Sequence, residues 1–176
     1  MFLTRRFYIV LAAITIVTAL GFAFPPLFGV GKFMLLLLAA ALLADILMLF
    51  HKKGITARRD CADRFSNGDD NTIRIIISNT FALRLSAIII DEAPVIFQRR
   101  NIKYHLPLPA KTTSETSYSL RPVVRGTYHF GRLRIFVRTP LTLVERRYTQ
   151  AEEKEVKVYP SFLMLNHYEL LAMSNN

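Results

Sequence analysis

Two long apolar runs fill the first 50 residues of the chain and constrain its fold more than any other feature. The first run extends from Phe7 to Phe28 without a charge, and the second extends from Phe33 to Phe50 with Asp45 as its one ionisable side chain. Each run has about the ~20 residues that an α-helix needs to cross the hydrocarbon core of a bilayer. The pattern predicts a transmembrane helical hairpin over residues 1–53, with spans at about 7–28 and 33–50.

Basic residues on both flanks of the predicted hairpin indicate its orientation. They are Arg5 and Arg6 before the first span, and Lys52, Lys53, Arg58 and Arg59 after the second. The connecting turn has only Lys32, so the positive-inside rule places both termini and the region after residue 53 in the cytoplasm. A cleaved signal peptide is the alternative. It fits less well, because the first run is longer than a typical signal-peptide core, no A-x-A site follows, and a second run comes at once.

Asp45 is a candidate functional residue, because an ionisable side chain inside lipid is costly and by default functional. It lies near the end of the second run, where it could reach interfacial water or pair with Lys52 or Lys53. Neither run has a second ionisable group, so we expect a structural or assembly role rather than proton transfer. Small residues at four-residue spacing predict the faces through which the two helices pack: Thr15, Ala19 and Ala23, and Ala40 and Ala44.

Alternation of apolar and polar residues replaces the apolar runs after residue 53. It predicts strands at Ile55–Cys61, Asn71–Asn79, Leu83–Ile89, Val95–Gln98, Ser117–Arg121, Arg132–Arg138, Leu141–Arg147 and Val156–Tyr159. Short strands separated by turns, with no helical pattern between them, predict an all-β antiparallel sandwich over residues 54–160. The sandwich is immunoglobulin-like in architecture only, because one Cys and no Trp leave no conserved disulfide or tryptophan.

The last segment, residues 161–176, has a third pattern. Its apolar residues fit a short amphipathic helix, or a linker toward a further domain. The broad apolar face of such a helix needs the sandwich, the membrane or another protein to cover it.

A basic excess marks the region after the apolar runs. Residues 51–176 contain 20 basic and 12 acidic side chains, a net charge of +8. Arg132, Arg134 and Arg138 share one face of a predicted strand with Phe136, and these four are the interaction candidates. Anionic lipid or an acidic protein fits this face better than nucleic acid, which would use several aromatic side chains for stacking. An outward face that charge keeps soluble is the simpler alternative.

Motifs for catalysis or metal binding are missing from the sequence. His51, His105, His129 and His167 have no ligand-like spacing, and a single Cys adds no second ligand. There is no phosphate-binding G-x-x-x-x-G-K stretch and no G-x-S-x-G nucleophile elbow. Asp91 and Glu92 are adjacent, so a strand points them to opposite faces. We therefore expect neither enzyme activity nor a metal or cofactor.

Three short stretches resemble a known family. They are residues 125–131 (Arg-Gly-Thr-Tyr-His-Phe-Gly), residues 139–143 (Thr-Pro-Leu-Thr-Leu) and residues 158–160 (Val-Tyr-Pro). In this order behind two apolar runs, the chain resembles the N-terminal half of the bacterial membrane proteins called domain of unknown function 58. Members usually continue into a domain resembling a von Willebrand factor A module, whose D-x-S-x-S motif is absent here. Thr139 and Thr142 also depart from the family pattern, which often has Asp and Gly at these positions.

The resemblance implies a function and a compartment. Family members are typically encoded beside MoxR-type AAA+ ATPases, so it implies a non-enzymatic, membrane-anchored assembly or scaffold protein that serves such an ATPase in the bacterial cytoplasmic membrane. The alternatives are an anionic-lipid-binding surface module and, more weakly, the regulatory half of a membrane-associated hydrolase. We interpret the motif residues as structural rather than ligand-binding: Arg125, Gly126, Tyr128, Gly131, Pro140, Tyr159 and Pro160.

Overall fold

The computed structural model describes residues 2–50, 54–94, 97, 103–150 and 153–161. A short strand, β1 (Phe2–Leu3), precedes two helices, α1 (Arg5–Leu20) and α2 (Pro25–Phe50). Within these ranges α2 is the one helix that is long and apolar enough to cross a membrane, whereas α1 has 16 residues. Two helices are thus present where two spans are predicted, and one of them reaches the length of a span by itself.

The turn between the helices lies closer to the N-terminus than the sequence predicts. The predicted turn is at 29–32, but α1 ends at Leu20 and the observed turn occupies residues 21–24. Pro25 and Pro26 form the first turn of α2, where a residue without an N–H group loses no helical hydrogen bond. The predicted span boundaries are therefore wrong at this point, because these prolines begin the second helix instead of ending the first.

The two helices pack through a face that differs from the predicted one. The predicted contact residues of the first span are exposed: Thr15 and Ala19 on α1, and Ala23 in the turn that follows it. Ile14 of α1 and Leu38 of α2 are buried instead. At Gly31 the helices come so close that an added Cβ would lie 3.2 Å from the Cα atom of Thr18. A glycine facing a threonine thus allows a close approach here, as small residues do between packed helices in membranes.

Replacing Gly31 with valine should therefore separate the helices. The added atoms meet backbone as well as the Thr18 side chain, and overpacking of this kind costs about 1–3 kcal/mol of unfolding free energy. Gly29 on the same helix has open space around its Cα, so Gly29→Val is the matched control and should change stability little. Thermal unfolding of the helical circular dichroism signal in detergent measures both. Equal midpoints for the two variants would contradict this packing.

Three sheets form the rest of the molecule. The strands that follow α2 are β2 (Ile55–Cys61), β3 (Arg64–Ser66), β4 (Asn71–Asn79), β5 (Leu85–Asp91), β6 (Lys103–Leu108), β7 (Thr113–Leu120), β8 (Gly126–Phe130), β9 (Leu133–Arg138), β10 (Val144–Gln150) and β11 (Lys154–Tyr159). The sheet orders are β1-β10-β9-β5-β6, β2-β4-β7 and β3-β11-β8. Every pairing is antiparallel except that of β11 with β3. The predicted all-β antiparallel body is confirmed.

Strand boundaries agree with the alternation where one face is buried. The strands β2 and β4 have the predicted limits, and β4 buries Ile73, Ile75 and Ile77 completely. The strand predicted at Leu141–Arg147 begins three residues later, because residues 139–142 form a turn. The strands β1, β3, β6 and β8 are not among the strands that the alternation predicts. The strand predicted at Val95–Gln98 falls, apart from Phe97, outside the described residues, as does the segment 161–176 after Ser161.

One hydrophobic core joins the sheets and reaches the helices. It contains inward side chains of all three sheets together with Ile14, Leu38 and Leu49 of the helices. Gln150 at the end of β10 links two sheets, because its side chain accepts a hydrogen bond from the Ala57 amide and donates one to the Ile55 carbonyl at 2.6 Å. The two helices therefore pack on each other, and the end of α2 at Leu49 packs into the core of the sandwich.

Candidate functional site

Asp45 joins the long helix to the sandwich. Its side chain is fully buried, and one carboxyl oxygen accepts hydrogen bonds from the backbone amides of Leu143 at 3.0 Å and Val144 at 2.8 Å. The other oxygen accepts a hydrogen bond from the Thr139 hydroxyl. The expectation that Asp45 reaches interfacial water is thus wrong, and its alternative partners Lys52 and Lys53 lie outside the described residues.

The N-terminus meets the same segment from the other side. The strand β1 pairs with β10 at the edge of the five-stranded sheet, so α1 begins directly from that sheet. The Thr4 amide donates to the Leu143 carbonyl at 3.0 Å, and the Thr4 hydroxyl donates to the Thr142 carbonyl. We call this cluster the hairpin base: Thr4, Asp45 and residues 139–144.

The end of α2 is fixed by a second set of contacts. Leu49 is fully buried, and its backbone carbonyl accepts a hydrogen bond from the Arg146 guanidinium. The same guanidinium lies over the Phe50 ring at 4.5 Å and the Tyr148 ring at 4.6 Å. A helix end leaves carbonyl groups without partners, and Arg146 satisfies one of them with a charged donor. Both ends of the hairpin are thus attached to β10.

Thr142 has an unusual backbone conformation at the hairpin base. Its φ angle is 53°, in the left-handed region that a β-branched residue rarely adopts. This is the position at which the resembling family often has Gly, for which the conformation is without strain. The Thr142 hydroxyl accepts a hydrogen bond from Arg6 at 2.9 Å. Strain of this kind persists only where surrounding contacts hold the residue, and here Thr4 and Arg6 do so.

Replacing Thr142 with glycine should relieve this strain. The left-handed conformation costs an ordinary residue about 1–2 kcal/mol, so we expect the unfolding free energy to rise by about 1 kcal/mol despite the lost Arg6 contact. Lys111 has a φ angle of 52° without β-branching, and Lys111→Gly should give a smaller gain. Thermal unfolding of both variants is the measurement. A lower stability for Thr142→Gly would show that the hydroxyl outweighs the strain.

The predicted arginine face is found on the outer side of the five-stranded sheet, largely neutralised. Arg134 and Arg138 of β9 point outward with Phe136 between them, whereas Arg132 precedes the strand. Arg134 forms an ion pair with Glu92, and Arg138 forms an ion pair at 2.5 Å with its cross-strand neighbour on β10, Glu145. The Phe136 ring lies 6.4 Å from that of Phe2 on β1.

A buried ion pair between the sheets was not predicted. Arg59 of β2 and Asp91 of β5 form a two-point contact, and their side chains are 2% and 0% exposed. Asp91 also accepts a hydrogen bond of 2.6 Å from the Tyr118 hydroxyl, and burial followed by the nearby Asp91 charge raises the pKa of that hydroxyl strongly. Arg59 Nη1 is buried without a hydrogen-bond partner. These groups hold the sheets together, and no solvent-facing acid or base results.

Alternation contains a signal for this pair. On β2, Arg59 shares a strand face with Ile55, Ala57 and Cys61, so it occupies an inward position. An inward arginine on a half-buried strand requires a buried acceptor. Asp91, in phase with the apolar residues of β5, is the matching one. Beside them, burial raises the pKa of the Cys61 thiol, which reduces the thiolate fraction at neutral pH.

The family-motif residues lie around this ion pair and at two turns. The Gly131 carbonyl accepts a hydrogen bond of 2.9 Å from the Arg59 guanidinium, and a Cβ added at Gly131 would meet the Glu92 side chain at 2.7 Å. Gly126 has a φ angle of 149°, which favours glycine. The Tyr128 ring packs 5.0 Å from Phe97. The remaining motif residues are at the surface: Arg125, Pro140, Tyr159 and Pro160.

Metal-binding geometry is absent from the described ranges. Within them no group of three or more His, Cys, Asp or Glu side chains could hold a metal ion. Of the four histidines, His105 and His129 fall in these ranges and His51 and His167 do not.

Comparisons with known proteins find only a distant structural similarity to small domains of other proteins. No protein-family model matches the chain, and no curated protein matches it. A CARDB domain from Pyrococcus furiosus, crystallised with di-metal ions, covers 61% of this chain and 93% of its own at 13% identity and a TM-score of 0.42. A chain in the complex of zinc α2-glycoprotein with prolactin-inducible protein from human seminal plasma matches 61% of this chain with 96% of its own length, at 12% identity and a TM-score of 0.46. A PKD domain of an M14-like peptidase from a Thermoplasmatales archaeon matches 58% of this chain with 91% of its own length, at 14% identity and a TM-score of 0.35. At these scores the likenesses carry no inference about activity.

Proposed function

We propose that the protein is a non-enzymatic, membrane-anchored assembly protein, whose helical hairpin lies in the bilayer and holds the sandwich in a fixed orientation at the membrane surface. The observation that carries this proposal is the division of the hairpin surface. Its outward sides are apolar and exposed, and its buried polar contacts are concentrated at the hairpin base. An exposed apolar surface of this extent needs a cover, and lipid is the cover that fits two helices.

The burial of α2 supports a membrane span over a core helix. The most apolar stretch of a core helix would be mostly buried, but in α2 only 17% of that stretch is buried inside the protein. Side chains such as Phe33, Leu36 and Leu43 are more than half exposed. The part of α2 between Pro25 and Asp45, roughly 20 residues at 1.5 Å each, extends roughly 30 Å, the thickness of a hydrocarbon core.

The attachment of the hairpin also supports an anchor that is retained. Cleavage of a signal sequence after the first apolar run would take β1 from the edge of the five-stranded sheet. Cleavage after the second run would also leave the Leu143 and Val144 amides without Asp45. Two buried amides without partners would each cost about 1–3 kcal/mol. The hairpin therefore acts as part of the folded sandwich.

We place the hairpin in the bacterial inner membrane with the sandwich on its cytoplasmic side, and the charges near the hairpin base support this orientation. Arg5 and Arg6 are exposed at the hairpin base, while Lys32, in the half of α2 away from Asp45, lies over the Phe28 ring at 4.5 Å. Arg59 belongs to the buried ion pair, so it does not contribute to a basic flank.

The partner that the family resemblance suggests is a MoxR-type AAA+ ATPase. A hairpin fixed to the sandwich at two places presents the outer face of the five-stranded sheet at a constant angle to the membrane, which suits a docking role. An anionic-lipid surface module is the second candidate, and the arginines on that same face favour it.

Site-specific photo-crosslinking in cells separates these candidates. A photoreactive residue at Phe136 samples the outer face of the five-stranded sheet, and one at the exposed Ser117 samples the opposite sheet as the matched control. The proposal predicts an adduct with an AAA+ ATPase, identified by mass spectrometry, at position 136 and not at 117. Adducts with lipid alone at position 136 would contradict the assembly role in favour of the lipid module.

A further inference from the structure

A polar cavity of about 400 Å³ lies beside the hairpin base. Its lining comes from the start of α1, from the paired strands β5 and β9, and from the turn before β10: Thr4, Arg5, Arg6, Ser86, Arg138 and Thr142. Three arginines and two residues with hydroxyl groups, Ser86 and Thr142, thus line one concave site. A volume of this size accommodates a small ligand or a lipid headgroup.

The charges of the cavity are not balanced by its surroundings. Glu145 pairs with Arg138, and within the described ranges neither Arg5 nor Arg6 has an acidic partner. Arg6 is instead oriented by its hydrogen bond to the Thr142 hydroxyl. The strained conformation of Thr142 places that hydroxyl next to the cavity, and strain at such a position is typical of ligand sites.

We propose that this cavity binds the phosphate group of an anionic phospholipid. Guanidinium groups present paired N–H donors that match phosphate oxygens, and hydroxyl groups complete such a site. This inference rests on the proposed membrane anchoring, which puts the hairpin base at the level of the lipid headgroups.

The surface of α1 fits the remainder of such a lipid. Ile9 lies one helical turn beyond Arg5 on the same side, and Ile16 lies further along the helix. Both side chains are more than half exposed. A phospholipid with its phosphate in the cavity would place its acyl chains along these residues. A free phosphate ion would use the cavity but not this apolar surface, which is why we favour the lipid.

Calorimetric titration of the full chain in a maltoside detergent tests the assignment. The probes are dihexanoylphosphatidylglycerol, dihexanoylphosphatidylcholine and inorganic phosphate. We expect saturable binding of the phosphatidylglycerol, with an affinity at least about tenfold above that of the phosphatidylcholine and of inorganic phosphate. The lipid assignment would be overturned if inorganic phosphate bound as tightly as the phosphatidylglycerol, or if the phosphatidylglycerol showed no saturable binding.

Two pairs of matched variants locate the site. R5Q/R6Q removes two charges inside the cavity, and R58Q/R74Q removes two at exposed positions of the sheet β2-β4-β7. Ser86→Glu adds a carboxylate to the cavity, and Ser117→Glu adds one to the opposite sheet. The affinity for the phosphatidylglycerol should fall about tenfold or more in the cavity variants, and it should stay within about twofold of the wild-type value in their controls. Equal losses for R5Q/R6Q and R58Q/R74Q would show diffuse attraction to a basic surface and overturn the site.

Failure of the membrane proposal gives a different result. Alkaline carbonate extraction of membranes that contain the wild-type chain tests anchoring without reference to lipid charge. A chain that stays in the membrane but shows no selective titration overturns the cavity assignment alone. If the chain is extracted, yet binds the phosphatidylglycerol and the variants change the affinity as expected, the membrane anchoring alone is contradicted.

Discussion

Asp45→Ala should lower the free energy of unfolding by about 3–5 kcal/mol, the largest effect that we expect from a substitution in the hairpin. The change removes the acceptor of two buried amides, at Leu143 and Val144, and of the Thr139 hydroxyl. A buried donor left without a partner costs about 1–3 kcal/mol, and water reaches this position poorly. Chemical denaturation followed by circular dichroism measures the loss in detergent.

Hydrogen exchange shows where the Asp45→Ala effect acts. The amides of Leu143 and Val144 should exchange much faster in the variant, while those of the central strand β4 keep their protection. Asp60→Ala, at an exposed position of β2, is the matched control and should change stability by no more than about 0.5 kcal/mol. A double-mutant cycle with Thr139→Val should give a coupling energy of about 1 kcal/mol or more. Independent effects of the two changes would contradict the contact.

Asp91→Asn should destabilise the sandwich to a similar extent, by about 3–5 kcal/mol. The substitution keeps the size of the side chain but leaves the Arg59 guanidinium buried without a counter-charge. Removing one member of a buried ion pair has this cost because the remaining charge stays in a medium of low polarity. The neutral amide oxygen is also a weaker acceptor than the carboxylate for the Tyr118 hydroxyl. The midpoint of thermal unfolding of the β-sheet signal is the measurement.

The double variant R59M/D91L separates the cost of breaking the pair from the value of keeping it. Buried ion pairs are often replaced by apolar residues with little loss, and Arg59 Nη1 is already without a partner. We therefore expect the double variant to be more stable than Asp91→Asn. If the double variant were instead the less stable of the two, the pair would contribute a net stabilisation that its geometry does not account for.

The sequence predicts the sandwich well wherever one strand face is buried and the other is solvated. Ile73, Ile75 and Ile77 show this on β4, since alternation itself reports which face is inside. Prediction fails for β1 and β3, which have two and three residues and are too short for a period to show. It also fails at Pro25, because a proline suits the first turn of a helix as well as it ends one.

The candidate site could be predicted only in part. Asp45 stands out in an apolar run, but its partners are about a hundred residues away in sequence and no local pattern relates them. Thr142 is recognisable as a departure from a family pattern, yet the φ angle that gives the departure a meaning is visible only in the fold. Alternation places Arg134 and Arg138 on the correct side of β9, whereas their pairing with Glu92 and Glu145 depends on neighbouring segments.

Spin-label accessibility on α2 tests the central claim most directly. Leu36 and Leu47 are 65% and 61% exposed on the same helix, but Leu36 lies well above the hairpin base and Leu47 lies beyond Asp45. Nitroxides at these positions, in a Cys61→Ala background reconstituted in vesicles, report collisions with oxygen and with a water-soluble nickel complex. The account predicts that oxygen collisions dominate at Leu36 and nickel collisions at Leu47. Equal nickel accessibility at both positions would contradict a hairpin in the bilayer.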